Sequence, residues 1–245
     1  MNTDAFEAAL RPLGRLRCAE PLSHHTTFAV GGPADWFLVI HQRAALIAAV
    51  RAARHFAVPY LLISGGSNIL ASDAGVRGLV IDNRTRQIDL LEDDPARRKR
   101  RVEADAGVSL ATLAHRATRL GMAGLEWAAG IPGTVGGGVL FNAGAHGHTL
   151  SEVLDAAQVL DTDLEVRWLR ACQLELGYRG SSLSREAPRR WVHQLLSHSH
   201  VRNGQSASLC ASRRSHSGRR RANSRASSIT VIWSACPVVV SIQAA

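Results

Sequence analysis

The apolar positions of this chain follow two periods in turn. Ala34 to Ile40 is a run of apolar and aromatic residues that predicts a strand, and Arg43 to Phe56 then changes to helical spacing, with Leu46, Ile47, Val50 and Ala53 on one side. Val58 to Ile63, Gly78 to Asp82 and Val102 to Ala104 predict further strands. Ser109 stands where it can cap a helix whose apolar positions Leu110, Leu113, Ala114 and Ala117 recur at three to four residues and which ends at Gly121. Val153 to Leu160 and Glu165 to Leu169 predict a hairpin around Asp161-Thr-Asp163. From Arg189 to Asn223 neither period holds, and only Ile229 to Ile242 has the make-up of an apolar strand. Strands and helices mixed in this way predict an α+β fold.

The run Gly130 to Gly147 carries seven glycines around Pro132. Glycine reaches positive φ and lets a ligand approach main-chain N–H groups without meeting a Cβ, and several N–H groups aimed into one volume suit phosphate. A flexible linker would be polar, whereas Ile131, Val135, Val139, Leu140 and Phe141 must pack. A second loop, Ser64-Gly-Gly-Ser-Asn68, follows the strand ending at Ile63. Alone it reads as a turn. Its spacing fits neither the G-x-G-x-x-G dinucleotide fingerprint nor a Walker loop, so ordinary Rossmann and P-loop readings are not supported. Paired with the later run, it predicts two loops closing on an extended diphosphate.

These segments carry a resemblance. Thr26-Thr-Phe-Ala-Val-Gly-Gly-Pro-Ala34, Ser64-Gly-Gly-Ser-Asn-Ile-Leu70, Ala129-Gly-Ile-Pro-Gly-Thr-Val-Gly-Gly137, Asn142-Ala-Gly-Ala-His-Gly147 and Tyr178-Arg179 resemble, in order, the motifs of the UDP-N-acetylenolpyruvoylglucosamine reductase family. The likeness runs from about Leu22 to about Pro188. It implies a two-subdomain FAD-binding fold of the vanillyl-alcohol-oxidase-like type, with subdomains at 1–92 and 93–188. The boundary is read from the dense charge and sparse apolar residues of Ile88 to Arg100, and the overlapping basic run Arg97 to Arg101 reads as an exposed turn. A substrate domain normally follows, and here it is missing or scrambled.

The resemblance implies FAD as cofactor and NADPH as co-substrate. Hydride passes from NADPH to FAD and then to the enolpyruvyl ether of UDP-N-acetylglucosamine, giving UDP-N-acetylmuramate for peptidoglycan. Ser64, Gly65, Gly66, Ser67 and Asn68, with Gly130, Ile131, Pro132, Gly133, Thr134, Gly136 and Gly137, would surround the cofactor diphosphate, and Thr27 and Ala106-Gly107 would lie near it. Hydride addition to the alkene builds negative charge that spreads into the substrate carboxylate and needs a fixed cation. Arg179 matches the family position for that cation, and its guanidinium can hold a carboxylate through two donors. Tyr178 would help to place the substrate. His146 stands where many relatives have tyrosine. The family's serine proton donor, in a downstream Gly-Ser pair, and its late carboxylate have no counterpart: no Gly-Ser pair follows Ser181 and no Asp or Glu follows Glu186.

Charge changes the picture only at the tail. The chain holds 29 basic and 20 acidic residues, yet residues 189–245 contain nine arginines, twelve serines and no acid, so the net +9 belongs to the tail and the first 188 residues balance. A basic total would otherwise argue for nucleic acid or an anionic membrane. Three readings of residues 189–245 compete: an out-of-frame product beginning near Pro188 to Val192, a disordered extension, and a basic arm. The four cysteines form no C-x-x-C pair and no zinc spacing, and read as free thiols in a reducing compartment. The charge balance of the first 188 residues gives no reason to expect a nucleic-acid partner, no run reaches the roughly 18 to 20 apolar residues of a membrane span, and the expected compartment is the cytoplasm with no membrane partner. Two other functions stay open: another FAD-linked oxidoreductase of the same superfold, and a non-enzymatic nucleic-acid-binding protein relying on Arg213 to Arg225.

Overall fold

The computed structural model describes residues 2–94, 99–186, 194–196 and 240–244. Helix α1 (Thr3–Leu10) is capped by the Asn2 side chain, which accepts the Ala5 N–H at 3.1 Å, and it buries Phe6 and Leu10. Strand β1 (Arg15–Pro21) pairs antiparallel with β2 (Pro33–Ile40). Helix α2 (Arg43–His55) leads to β3 (Tyr60–Ile63) and β4 (Val76–Asn83). Strand β4 inserts between β2 and β3, parallel to both, giving the order β1-β2-β4-β3. Successive strand side chains point to opposite faces. Leu38, Ile40, Leu79 and Ile81 therefore pack with Phe6, Leu10, Leu46 and Val50 of the helices, while Phe37 and Val80 pack with Leu22, Ile63 and Ile69. The carboxyl ends of β2, β3 and β4 share one edge, the usual ligand position in sheets of this kind.

A second sheet begins with β5 (Ile88–Asp94) and β6 (Lys99–Ala104). Helix α3 (Leu110–Arg119) is capped as expected, the Ser109 side chain accepting the Thr112 N–H at 3.0 Å. Then come α4 (Val135–Leu140), the short pair β7 (Gly144–Ala145) and β8 (His148–Thr149), and the hairpin of β9 (Leu154–Leu160) and β10 (Val166–Arg170). Helix α5 (Ser182–Glu186), β11 (Gln194–Leu196) and β12 (Val240–Ala244) follow. The sheet order is β10-β9-β12-β6-β5, with β11 also on β9. The apolar stripe of α3 closes a core with Val102, Ala104, Val135, Val139, Leu150, Leu154 and Ala157. Leu160 of β9 instead lies in the core of the first sheet, and Arg51 of α2 donates to the Leu164 carbonyl at 2.9 Å.

The predicted helices, strands and hairpin are present to within a few residues at their ends. The chain changes sheet between Asn83 and Ile88, a few residues before the 92/93 boundary read from charge, because the acidic stretch through Asp94 still pairs as β5. Within the basic run, 99–101 are strand, and 97–98 lie outside the described residues. Of the apolar segment from Ile229 to Ile242, 240–242 are described and form part of β12. The Ser/Arg-rich stretch 197–239, with Arg213 to Arg225, Cys210 and Cys236, lies outside the described residues. Cys18 and Cys172 are free and exposed. Among the described residues no helix is long and apolar enough to cross a membrane.

Candidate functional site

Segments far apart in sequence close into a ring at the carboxyl edge of β3 and β4. The Ser64 to Asn68 loop leaves β3, and its Gly66 carbonyl accepts the Thr27 N–H at 3.0 Å. The Ser64 hydroxyl donates to the Asn83 carbonyl at the end of β4, at 2.9 Å. Gly107 approaches that end so closely that a Cβ on it would sit 2.5 Å from the Thr85 carbonyl oxygen and 2.9 Å from that of Asn83. Its neighbour Ala106 accepts the Gly136 N–H at 2.9 Å, Val108 accepts that of Val135 at 2.8 Å, and Gly133 accepts that of Leu110 at 3.1 Å. Gly133 then faces the first loop, where a Cβ would lie 4.0 Å from the Ser67 hydroxyl.

The rim of this ring is open. A Cβ on Gly65 or Gly130 would meet nothing within 4 Å, and on Gly137 only the Thr134 hydroxyl at 3.9 Å. Asn68 and Pro132 are exposed, while Ile131 leans on the second core. Among the described residues the side chains of Thr27, Ser67, Asn68 and Thr134 make no hydrogen bond; Thr27 and Asn68 are exposed, Ser67 is half-buried and Thr134 is buried. Gly136 plays a different part from the open donor expected of it. Its N–H and that of Val135 are taken by residues 106–108, so these two groups fasten the loop.

His25 supports the first loop from behind. Its carbonyl oxygen lies 1.9 Å from where a Cβ on Gly66 would be. The imidazole stacks on Phe37, ring centroids 4.0 Å apart, and its Nε2 bonds the Glu20 carboxylate at 2.9 Å. Burial pushes the Glu20 carboxyl up, but the hydrogen bonds from His25 and Arg17 outweigh it and hold the group below its ordinary 4.5. A depressed folded-state pKa gives stability that is complete above the unfolded value and is lost as pH falls through the folded one. Melting temperature is therefore expected to drop as the pH is lowered below about 4.5. Glu20→Gln should cost about 1–2 kcal/mol at pH 7 and flatten that acid limb, both read from melts across pH. An unchanged acid limb in the variant would remove Glu20 from the account.

Tyr178 and Arg179 occupy a tight turn closed by the Gly177 N–H to the Gly180 carbonyl at 2.9 Å, with Arg179 in the left-handed region at φ +52°. Both are exposed, and among the described residues no carboxylate pairs with Arg179. Asn142 holds the turn: its amide donates to the Gly177 carbonyl at 3.0 Å and its Oδ1 accepts the Ser151 N–H at 3.0 Å. Ser181 is fully buried and donates to the Leu140 carbonyl at 2.7 Å. The turn thus docks at the far end of α4 from the Gly133 loop, a helix ~9 Å long at 1.5 Å per residue.

The family described as "FAD binding domain" matches residues 34–170. The UDP-N-acetylenolpyruvoylglucosamine reductase of Synechococcus sp. (strain JA-3-3Ab) is 45% identical over 171 residues, 69% of this chain and 53% of that protein. UDP-N-acetylenolpyruvoylglucosamine reductase 2 of Symbiobacterium thermophilum is 37% identical over 219 residues, 89% of this chain and 68% of that protein. The chain belongs to the UDP-N-acetylenolpyruvoylglucosamine reductase family. It spans about half the length of most of the curated family members it matches. The crystal structure of the Thermus caldophilus reductase aligns at a TM-score of 0.57 and 29% identity, covering 76% of this chain and 63% of that one. That of p-cresol methylhydroxylase, at 13% identity and a TM-score of 0.55 over 81% and 43%, shares the vanillyl-alcohol-oxidase-like fold alone.

Within this family frame the ring suits FAD: its glycines at 65 and 130 leave room at the rim, and among the described residues the side chains of Ser67 and Asn68 beside them make no hydrogen bond. His146 keeps the sharp turn of its motif at φ +55° and is exposed. Asn83 and Thr85 are structural members of the site that the motifs did not include, and Asn142, inside a motif, had been given no role of its own. Their signal was positional, since each stands where an element gives way to a loop.

Proposed function

We propose that this chain is the FAD-holding part of a UDP-N-acetylenolpyruvoylglucosamine reductase, which uses NADPH to reduce UDP-N-acetylglucosamine enolpyruvate for peptidoglycan precursors. The observation that carries the reading is the ring joining Thr27, Ser64 to Asn68, Asn83, Ala106-Gly107 and Gly133 to Gly136, open at Gly65 and Gly130. Ser67, Asn68 and Thr134 would donate to the diphosphate, with the open backbone at Gly65, Gly130 and Gly133 admitting it. Bound FAD supplies the hydride acceptor and donor.

Arg179 would hold the substrate carboxylate and stabilise the negative charge that grows on it as hydride adds. The Asn142 tie and the absence of a paired carboxylate among the described residues support this role. Tyr178 would place the sugar nucleotide. Ser181 and Ser182 belong to the Tyr-Arg turn, their hydroxyls donating to the Leu140 and Gln173 carbonyls, and neither takes the place of the family's proton donor. With no downstream Gly-Ser pair and no later carboxylate, the chain as given would bind FAD without completing the reduction at an ordinary rate. The test is the purified chain of residues 1–245 with FAD, NADPH and the enolpyruvyl substrate. Expected are bound flavin by its visible spectrum and no product above a no-enzyme control. Failure to retain flavin would overturn the cofactor reading, and product at an ordinary enzymatic rate would overturn the incompleteness.

A further inference from the structure

Arg43 is the first residue of α2, where the helix dipole disfavours a cation and where no acidic side chain and no side-chain cap is found. Its guanidinium reaches across to the second sheet. Nε and Nη2 donate to Asp105 Oδ1 at 3.2 and 2.9 Å, and Nη2 also reaches Glu103 Oε1 at 3.3 Å. Glu103 and Asp105 are almost fully buried, at 3% and 4% exposure, and the other Asp105 oxygen accepts the Gln87 N–H at 2.9 Å. Asp105 is thus held from two directions, one of them from α2, the helix packed on the first sheet. The next two residues are Ala106, which accepts the Gly136 N–H, and Gly107, which sits against the carbonyls of Asn83 and Thr85. The grip on Asp105 therefore fixes where the second glycine loop stands relative to the first, across the opening between Ser67 and Gly133.

We propose that Arg43 is a positioning residue for diphosphate binding, acting through Asp105 and Ala106-Gly107 without touching the ligand. This rests on the reading of the ring as the FAD site. Lysine at this position keeps the charge that compensates the two buried carboxylates, but as a point charge it cannot hold Asp105 and Glu103 through a planar fork. Arg43→Lys therefore separates positioning from mere charge balance. FAD and ADP both carry a diphosphate, and FMN does not.

The experiment measures Kd for FAD, ADP and FMN on the full chain and on Arg43→Lys, with melting temperature alongside. Expected is a loss of roughly tenfold in affinity for both FAD and ADP with FMN affinity little changed, and melting close to that of the parent. Asp105→Asn, which keeps the side-chain shape and removes the charge that recruits Arg43, should show the same split if Arg43→Lys does not fold. Unchanged FAD and ADP affinity in the variants, or an equal loss for all three ligands, overturns the positioning role. Absence of FAD and ADP binding by the parent chain overturns the ring as the cofactor site, and the role of Arg43 falls with it.

Discussion

Gly66→Ala is expected to weaken FAD binding by at least about 100-fold, equivalent to ~2.7 kcal/mol. Gly66 lies in the left-handed region at φ +61°, where an alanine costs about 1 kcal/mol on conformation alone. The larger cost is steric. The new Cβ would sit 1.9 Å from the His25 carbonyl oxygen, 2.9 Å from its carbon and 3.0 Å from Thr26 Cα. All three are backbone atoms, so relief requires moving either the Ser64 to Asn68 loop or the Thr26-Thr27 segment, which together form one side of the ring. Gly121 provides the control, since it has φ +69° and only a distant Arg100 side-chain atom at 3.8 Å. Gly121→Ala should lose about 1 kcal/mol of stability and leave FAD affinity unchanged. Flavin fluorescence titration of the two variants decides it, and equal affinities would mean that the close packing at Gly66 does not shape the site.

Phe37→Ala is expected to be the most damaging core substitution among those that bear on the site, at about 3–5 kcal/mol. Phe37 is fully buried on the face of the first sheet opposite the helices, with Leu22, Ala34, Ile63, Ile69 and Val80 around it. Its truncation leaves a cavity and also removes the surface on which the His25 ring stacks, so the backbone that backs Gly66 loses its rest. Phe37→Leu should recover most of the stability, because it refills much of the volume, while the ring stack stays lost. Denaturant melts with FAD titration separate the two effects. If Phe37→Leu restores stability and FAD affinity together, packing volume is the whole contribution of Phe37.

The elements legible in the sequence were those whose periodicity reports a single environment. Helix α3 was legible because Leu110, Leu113, Ala114 and Ala117 all face one core and Ser109 caps it. Strand β1 was not: Arg15-Leu16-Arg17-Cys18 lies on the sheet edge with no fully buried position, so burial imposes no alternation on it. Strand β5 was hidden by its acidic residues, which a half-exposed end strand tolerates. Helix α1 escaped notice because it is short and two residues, Phe6 and Leu10, carry its burial. In the site the glycine loops announced themselves through backbone demands that few other residues meet. The contributions of Asn83, Asp105 and Arg43 did not, because each depends on a partner tens of residues away, and no local pattern encodes such a pairing.

Subdomains that hold a ligand between them swing apart unless their interface is large and apolar. Here Leu160 of the second sheet is embedded in the first core, and Arg51 grips the Leu164 carbonyl beside it. The hairpin is a peg in its neighbour, so parting the two sheets means drawing Leu160 out into water, at a cost of about 1.5–3 kcal/mol.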